Sequence, residues 1–190
     1  ASASPRTTCV AVAPSPAMLD AMTARVQAGN SVGAALLSMD GDATTTSSGS
    51  FYTVVLKNFA APWTNRDQTA FVPLNDYTAT IIGMVRDEVP FNTVLSADIV
   101  YVGKSGLGLP AYSVSSNDHY EQLESWAVNL KDGLDRATQS SVTGLPAAAT
   151  AGVITTRAAA RSFFVAGTNR AMFRFTLMNH MCRDLEQVMD

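Results

Sequence analysis

Residues 117–139, NDHYEQLESWAVNLKDGLDRATQ, place Leu123, Ala127, Leu130, Leu134 and Ala137 at four-three-four-three spacing, with Trp126 alongside. That spacing lines one face of an α-helix with apolar side chains. Asp118 and Glu121 have the D-x-x-E form of a capping box at its start, and Asp132 and Arg136 stand one turn apart on the wet side. The terminal stretch repeats the signal. Thr168 is a cap after the Gly167 break, and Ala171, Phe175, Met178, Cys182, Leu185 and Met189 form a second stripe. A helix here turns Cys182 toward the core.

Further helices follow from start and stop signals. Ser15 caps a helix opened by Pro16, with Met18, Met22 and Val26 one turn apart and Gly29–Asn30 as the stop. Residues 51–63 resume a mostly apolar helix, ended by Pro62. Residues 75–88 begin with Asp76 as cap candidate and carry Tyr77, Ile81, Met84 and Glu88. Pro90 disfavours helical geometry at Val89, so this helix should finish there. VLSADIVYVG then reads as a short extended segment or as one apolar turn with an extended tail, and Gly103, Gly106 and Gly108 keep the chain turning.

The expected fold is mainly α: an irregular helical bundle with long loops and at most a short extended segment near 94–102. The 190 residues make one domain, with two helical halves at about 15–102 and 103–190 as the finer division. Residues 41–50 and 140–152 read as loops or linkers.

Composition narrows the class. At 47% hydrophobic and 15% charged the chain is too apolar for a disordered protein, and a net charge of −3 argues against general nucleic-acid binding. Sparse surface charge points to a protein partner. No apolar run is long enough to span a bilayer. The start, ASASPRTTC without an initiator Met, fits a mature chain after signal-peptide removal, giving a periplasmic or extracellular location. Cys9 and Cys182 lie near opposite ends. Either they form a bridge, with loop closure worth on the order of 5 kcal/mol, or they are two unrelated buried thiols.

Chemistry-bearing motifs are few. The sequence holds no C-x-x-C-H, G-x-S-x-G, H-E-x-x-H or Walker loop. His180 and His119 are the weak ligand candidates. His180 is expected to be exposed and paired with Asp184, and His119, in the first turn of a helix, to be neutral and structural. Arg157 with Arg161, and Arg170 with Arg174, share helix faces. They read as ion pairs to Glu121, Glu124 or Asp132, or as contacts to an anion: a partner's acidic patch or a haem propionate presented in trans. Asp98 and Tyr101 are the first pair to test for an enzyme with a non-motif site, against Asp98 as the cap of a turn.

Residues 59–103 resemble the helical domains of unknown function of planctomycete-type, cytochrome-c-associated secreted proteins. Trp63, Pro90, Phe91, Leu95, Ala97, Asp98, Tyr101 and Val102 fill that family's junction pattern. Residues 152–182 are similar to its companion domain, with Gly152, Val153, Ile154 and Thr155 at the "GvLT" step and Cys182 at the end. The likeness runs from about 51 to 190. It implies export and a redox neighbourhood and supplies no catalytic residues. Such proteins commonly carry a haem-binding C-x-x-C-H segment downstream, which this sequence lacks. The expected function is thus a non-catalytic exported module that scaffolds or docks with a c-type cytochrome or another redox assembly. No cofactor is expected within the chain, and haem would come only from a partner or a further segment. The alternative is a self-associating structural or adhesive subunit.

Overall fold

The computed structural model describes residues 15–40, 51–165 and 169–187. Helix accounts for 58% of it and strand for 5%, so the protein is mainly α. In chain order, α1 (Pro16–Gln27) and α2 (Ser31–Asp40) pack on each other. A continuous helical segment then runs from a π turn (Phe51–Leu56) through α3 (Lys57–Ala60) into a 3-10 turn (Ala61–Thr64). Next come α4 (Asp76–Arg86), β1 (Val100–Gly103), α5 (Asp118–Ser125), β2 (Leu134–Ala137) and α6 (Gln139–Thr143). The chain closes with α7 (Arg157–Ala159), which continues as a π turn to Val165, and α8 (Asn169–Met181).

The first helix starts as expected. Ser15 Oγ accepts the Met18 N–H at 3.2 Å, Pro16 follows at the first helical position, and Gly29 stops the chain at φ +76°. The centre of the molecule is α4, whose residues Asp76 to Met84 are all buried, as a helix covered on every side must be. Tyr77, Ile81 and Met84 lie in the core; Glu88, expected on the same stripe, sits past the helix end at φ +52°. The cap of α4 is Asn75, which accepts the Thr78 N–H at 3.0 Å. The helix stops at Arg86, three residues before the proline-limited position.

Of the two readings of the junction the turn with an extended tail holds: residues 94–96 turn, with Ala97 N–H donating to the Thr93 carbonyl at 2.8 Å, and β1 then pairs antiparallel with β2, Val100 opposite Ala137 and Gly103 opposite Leu134. One buried cluster draws on residues from Tyr52 to Phe175, on both sides of position 102. Gly83 permits the packing of α4 on β1, because a Cβ there would lie 2.1 Å from the Tyr101 ring. Tyr101 is fully buried, so the ring has little room to yield. The variant Gly83→Ala should therefore lose about 1–3 kcal/mol in urea unfolding.

The expected helix over 118–137 is a correction. It ends at Ser125, Ala127 turns into the left-handed region at φ +50°, and the chain returns as β2. Tertiary partners take the backbone groups that a longer helix would use. Leu130 N–H donates to Thr53 Oγ1 at 3.1 Å, and Arg86 Nη1 donates to the carbonyls of Lys131 and Leu134 at 3.0 and 2.7 Å. Leu123, Leu130 and Leu134 are all buried, but from a helix, a turn and a strand. The capping box does not form either. Asn117 occupies the cap position without a side-chain cap bond; its Nδ2 donates to Glu121, and Ser116 Oγ donates to Asp118.

Residues 140–152, expected as a linker, hold most of α6 and a 3-10 turn at Ala147–Ala149. The loop expected at 41–50, with Gly167 and Thr168, lies outside the described residues.

Candidate functional site

The buried polar groups form internal ties. Asp76 is fully buried at the start of α4, and its carboxylate accepts four bonds. Tyr77 N–H and Ala158 N–H reach Oδ1 at 3.0 Å each; Arg157 N–H and the Tyr112 hydroxyl reach Oδ2 at 2.6 and 3.1 Å. One side chain thus joins the first turns of α4 and α7. Burial pushes its carboxyl above the usual carboxylate range, against the downward pull of the Ala158 N–H, the Arg157 charge and the remaining donors. Asp76 read as a helix cap in the sequence. The clue to its true role was that Asn75 already supplied the cap, leaving the Asp76 carboxylate free to bind elsewhere.

Both histidines have internal partners. The Pro110 carbonyl can only accept, so the His119 Nδ1 beside it at 2.6 Å carries the proton, and Nε2 accepts the Gly103 N–H at 2.8 Å. The ring is the neutral tautomer, holding the end of β1 to the irregular chain at Pro110. His180 is not the exposed partner of Asp184. It is half-buried, 2.7 Å from the Tyr77 hydroxyl through Nε2, with its ring edge-on to Trp63 at 5.4 Å.

Burial pushes the His180 imidazole below its usual 6.5. The native state then binds fewer protons than the unfolded chain between the lowered value and 6.5. This contribution is complete above that window and is lost as the pH falls through it. Comparing urea unfolding of the protein and His180→Gln should show the parent losing more stability than the variant between pH 7 and pH 5. Parallel losses would refute this assignment.

The arginines do not form one cluster. Arg157 turns inward and donates through Nη2 to Asn117 Oδ1. Arg174 makes a two-pronged bond to Asp184, Nε to Oδ1 and Nη2 to Oδ2 at 2.8 Å each. Arg161 and Arg170 are exposed. Of the expected acidic partners, Glu124 instead receives Lys57 Nζ at 2.5 Å and the Leu74 N–H at 2.8 Å.

Asp98 and Tyr101 are separately engaged. Asp98 accepts the N–H and hydroxyl of Ser140, tying down the first turn of α6, while the Tyr101 hydroxyl donates to Asp87 at 2.6 Å. Asp98 is therefore a cap, of a helix 42 residues on. Cys182 follows the end of α8 at φ +51° as an exposed free thiol, not a core residue; Cys9 lies outside the described residues.

A groove of about 1000 Å³ lies between three segments. Thr53, Val54 and Lys57 form one wall, residues 70–74 the second, and Glu124 to Leu130 the third. The Lys57–Glu124 pair and the Glu124–Leu74 bond fasten the three walls together. Most of the lining is apolar, and Phe71 is 92% exposed at the rim. Of the residues singled out in the sequence only Glu124 and the stripe residues Ala127 and Leu130 lie here, and none was read as part of a site, because the walls come from segments up to 77 residues apart.

A smaller recess of about 320 Å³ lies beside His180, Trp63 and Leu95. Among the described residues, no group of three or more His, Cys, Asp or Glu could hold a metal ion, and no helix is long and apolar enough to cross a membrane. Comparison with protein-family models, curated proteins and solved structures finds no match.

Proposed function

We propose that this chain is a non-catalytic helical module that docks a protein partner in the groove between residues 51–58, 70–74 and 124–130. The observation that supports it is the groove's make-up. Its walls are apolar, its Lys57 and Glu124 charges neutralise each other, and Phe71 stands almost wholly in solvent. An exposed ring on the rim of an apolar concavity is the kind of surface that marks an interaction site. The Asp76, Asp98, His119 and Arg174 groups, by contrast, are spent on holding helices and strands together.

The proposed partner is a c-type cytochrome or another redox protein of the periplasm or cell exterior. The resemblance of the Pro90–Val102 junction supports that choice, and any haem belongs to the partner. Calorimetric titration of the chain with a purified c-type cytochrome tests it. Binding that weakens at least tenfold in Phe71→Ser, about 1.4 kcal/mol, is the expected result; binding equal in parent and variant rejects the groove. Replacing Arg170 and Arg174 with Gln in the same titration tests the anion contact, and unchanged binding and salt dependence would end that part.

A second reading, self-association, draws on Leu19, Val26, Val32 and Leu36, all exposed on the α1–α2 pair. Light scattering that grows with concentration would favour it.

A further inference from the structure

We infer that the end of α8 is a site for one soft monovalent metal ion, copper(I), held by the sulfur atoms of Met178, Met181 and Cys182. The site lies away from the groove and does not depend on the docking reading.

The donors are set by the sequence. LMNHMC, residues 177–182, places two thioethers and a thiol at positions i, i+3 and i+4. On a helix such positions are neighbours on one face, and four residues rise only about 6 Å along the axis. The flexible, unbranched methionine arms can close the remaining distance. α8 is helical through Met181, so the spacing holds into its last turn, and Cys182 then bends at φ +51°.

The surroundings leave these sulfurs accessible. The side chains that α8 gives to the buried core are Met172 and Phe175. Met178 is half-buried, Met181 is 61% exposed, and Cys182 is an exposed free thiol. Past Cys182 the chain turns back on the helix. Arg183 N–H donates to the Leu177 carbonyl at 3.2 Å, and Asp184 receives both prongs of Arg174 at 2.8 Å. Arg174, Met178 and Met181 follow one another at four-three spacing along one face. The Arg174–Asp184 bond therefore holds the bend at Cys182 beside the face that carries both thioethers.

Donor type selects the metal. A thiolate with thioethers suits copper(I), whereas hard cations take oxygen ligands. The neighbouring nitrogen and oxygen donors are committed elsewhere, His180 Nε2 to the Tyr77 hydroxyl and Asp184 to Arg174. On binding, the Cys182 thiol gives its proton to solvent. The thiolate and the monovalent ion then cancel in charge, so no further counter-charge is needed.

The test is a titration of copper(I), in competition with bicinchoninate and without oxygen, into the full chain carrying Cys9→Ser. The expected result is one copper per chain, with X-ray absorption showing three sulfurs around it. Losing a direct ligand should cost at least the roughly 10–100-fold that losing its outer partner costs, so Cys182→Ser and the double variant Met178→Leu, Met181→Leu should each bind at least about tenfold more weakly. Leucine keeps the volume of methionine, and the urea midpoint of the double variant should match that of the parent. A double variant that binds copper as tightly as the parent would overturn the site, because the thiol alone would then be capturing the metal. Nitrogen or oxygen ligands in place of the thioether sulfurs would overturn it as well.

Discussion

Replacing Asp76 with alanine is expected to destabilise the fold by about 4 kcal/mol, more than any other single polar substitution in this protein. Asp76 is fully buried and accepts the Tyr77, Arg157 and Ala158 N–H groups and the Tyr112 hydroxyl. Alanine leaves these donors in the core without an acceptor, and it leaves the Arg157 charge without its buried counter-charge. In a chain of this length each 1 kcal/mol moves the melting temperature by roughly 2–4 °C, so the midpoint should fall by roughly 8–16 °C. Asp76→Asn keeps the shape but puts an NH₂ group where one acceptor stood, against at least one N–H, and should lose about 3 kcal/mol. Scanning calorimetry on the two variants is the check. A fall of less than about 3 °C in both would mean that the donors find other partners, and that Asp76 does not hold α4 to α7.

Gly152→Ala should come close behind, at about 2–5 kcal/mol. Gly152 has φ +56°, which a side chain enters at a cost of about 1–2 kcal/mol. A Cβ there would also lie 1.9 Å from the Val94 carbonyl oxygen and 2.7 Å from its carbon. Those are backbone atoms, so no rotamer change relieves the clash. The strain would open the contact in which Val153 N–H donates to the Val94 carbonyl at 3.0 Å, the seam between the 152–155 turn and the segment after Pro90. The Gln139 side chain is the local readout, since its Nε2 donates to the Gly152 carbonyl and its Oε1 accepts the Thr155 hydroxyl. Faster exchange of the Val153 amide alongside a lower unfolding midpoint is the expected outcome; a variant as stable as the parent would show that the turn can shift away from Val94 without loss.

Local chemistry in the sequence carried the helix starts. Ser15–Pro16 and Gly29 act within a few residues of themselves, and so they behave alike in sequence and structure. The α4 stripe was legible for the same reason, because Tyr77, Ile81 and Met84 face a core that covers the whole helix. Residues 118–137 failed because spacing alone does not distinguish one long helix from a helix, a turn and a strand that bury the same leucines. Thr53 and Arg86, distant in the chain, decide between them by taking the backbone of 130–134. Cys182 failed by a single step, since α8 stops at Met181 and the next residue turns left-handed and outward. The groove left no trace in any one motif. Its walls are ordinary apolar residues until Lys57, Leu74 and Glu124 bring them together. His119 was the one candidate whose neutral, structural character could be read early from its place in a first helical turn.

Hydrogen exchange of the full chain with and without a purified c-type cytochrome tests docking through the groove most directly. Slower exchange confined to residues 51–58, 70–74 and 124–130, with α4 and β1 unchanged, is the predicted pattern. Unaltered exchange across those three segments while the cytochrome is bound, or protection confined to α1 and α2, would contradict it.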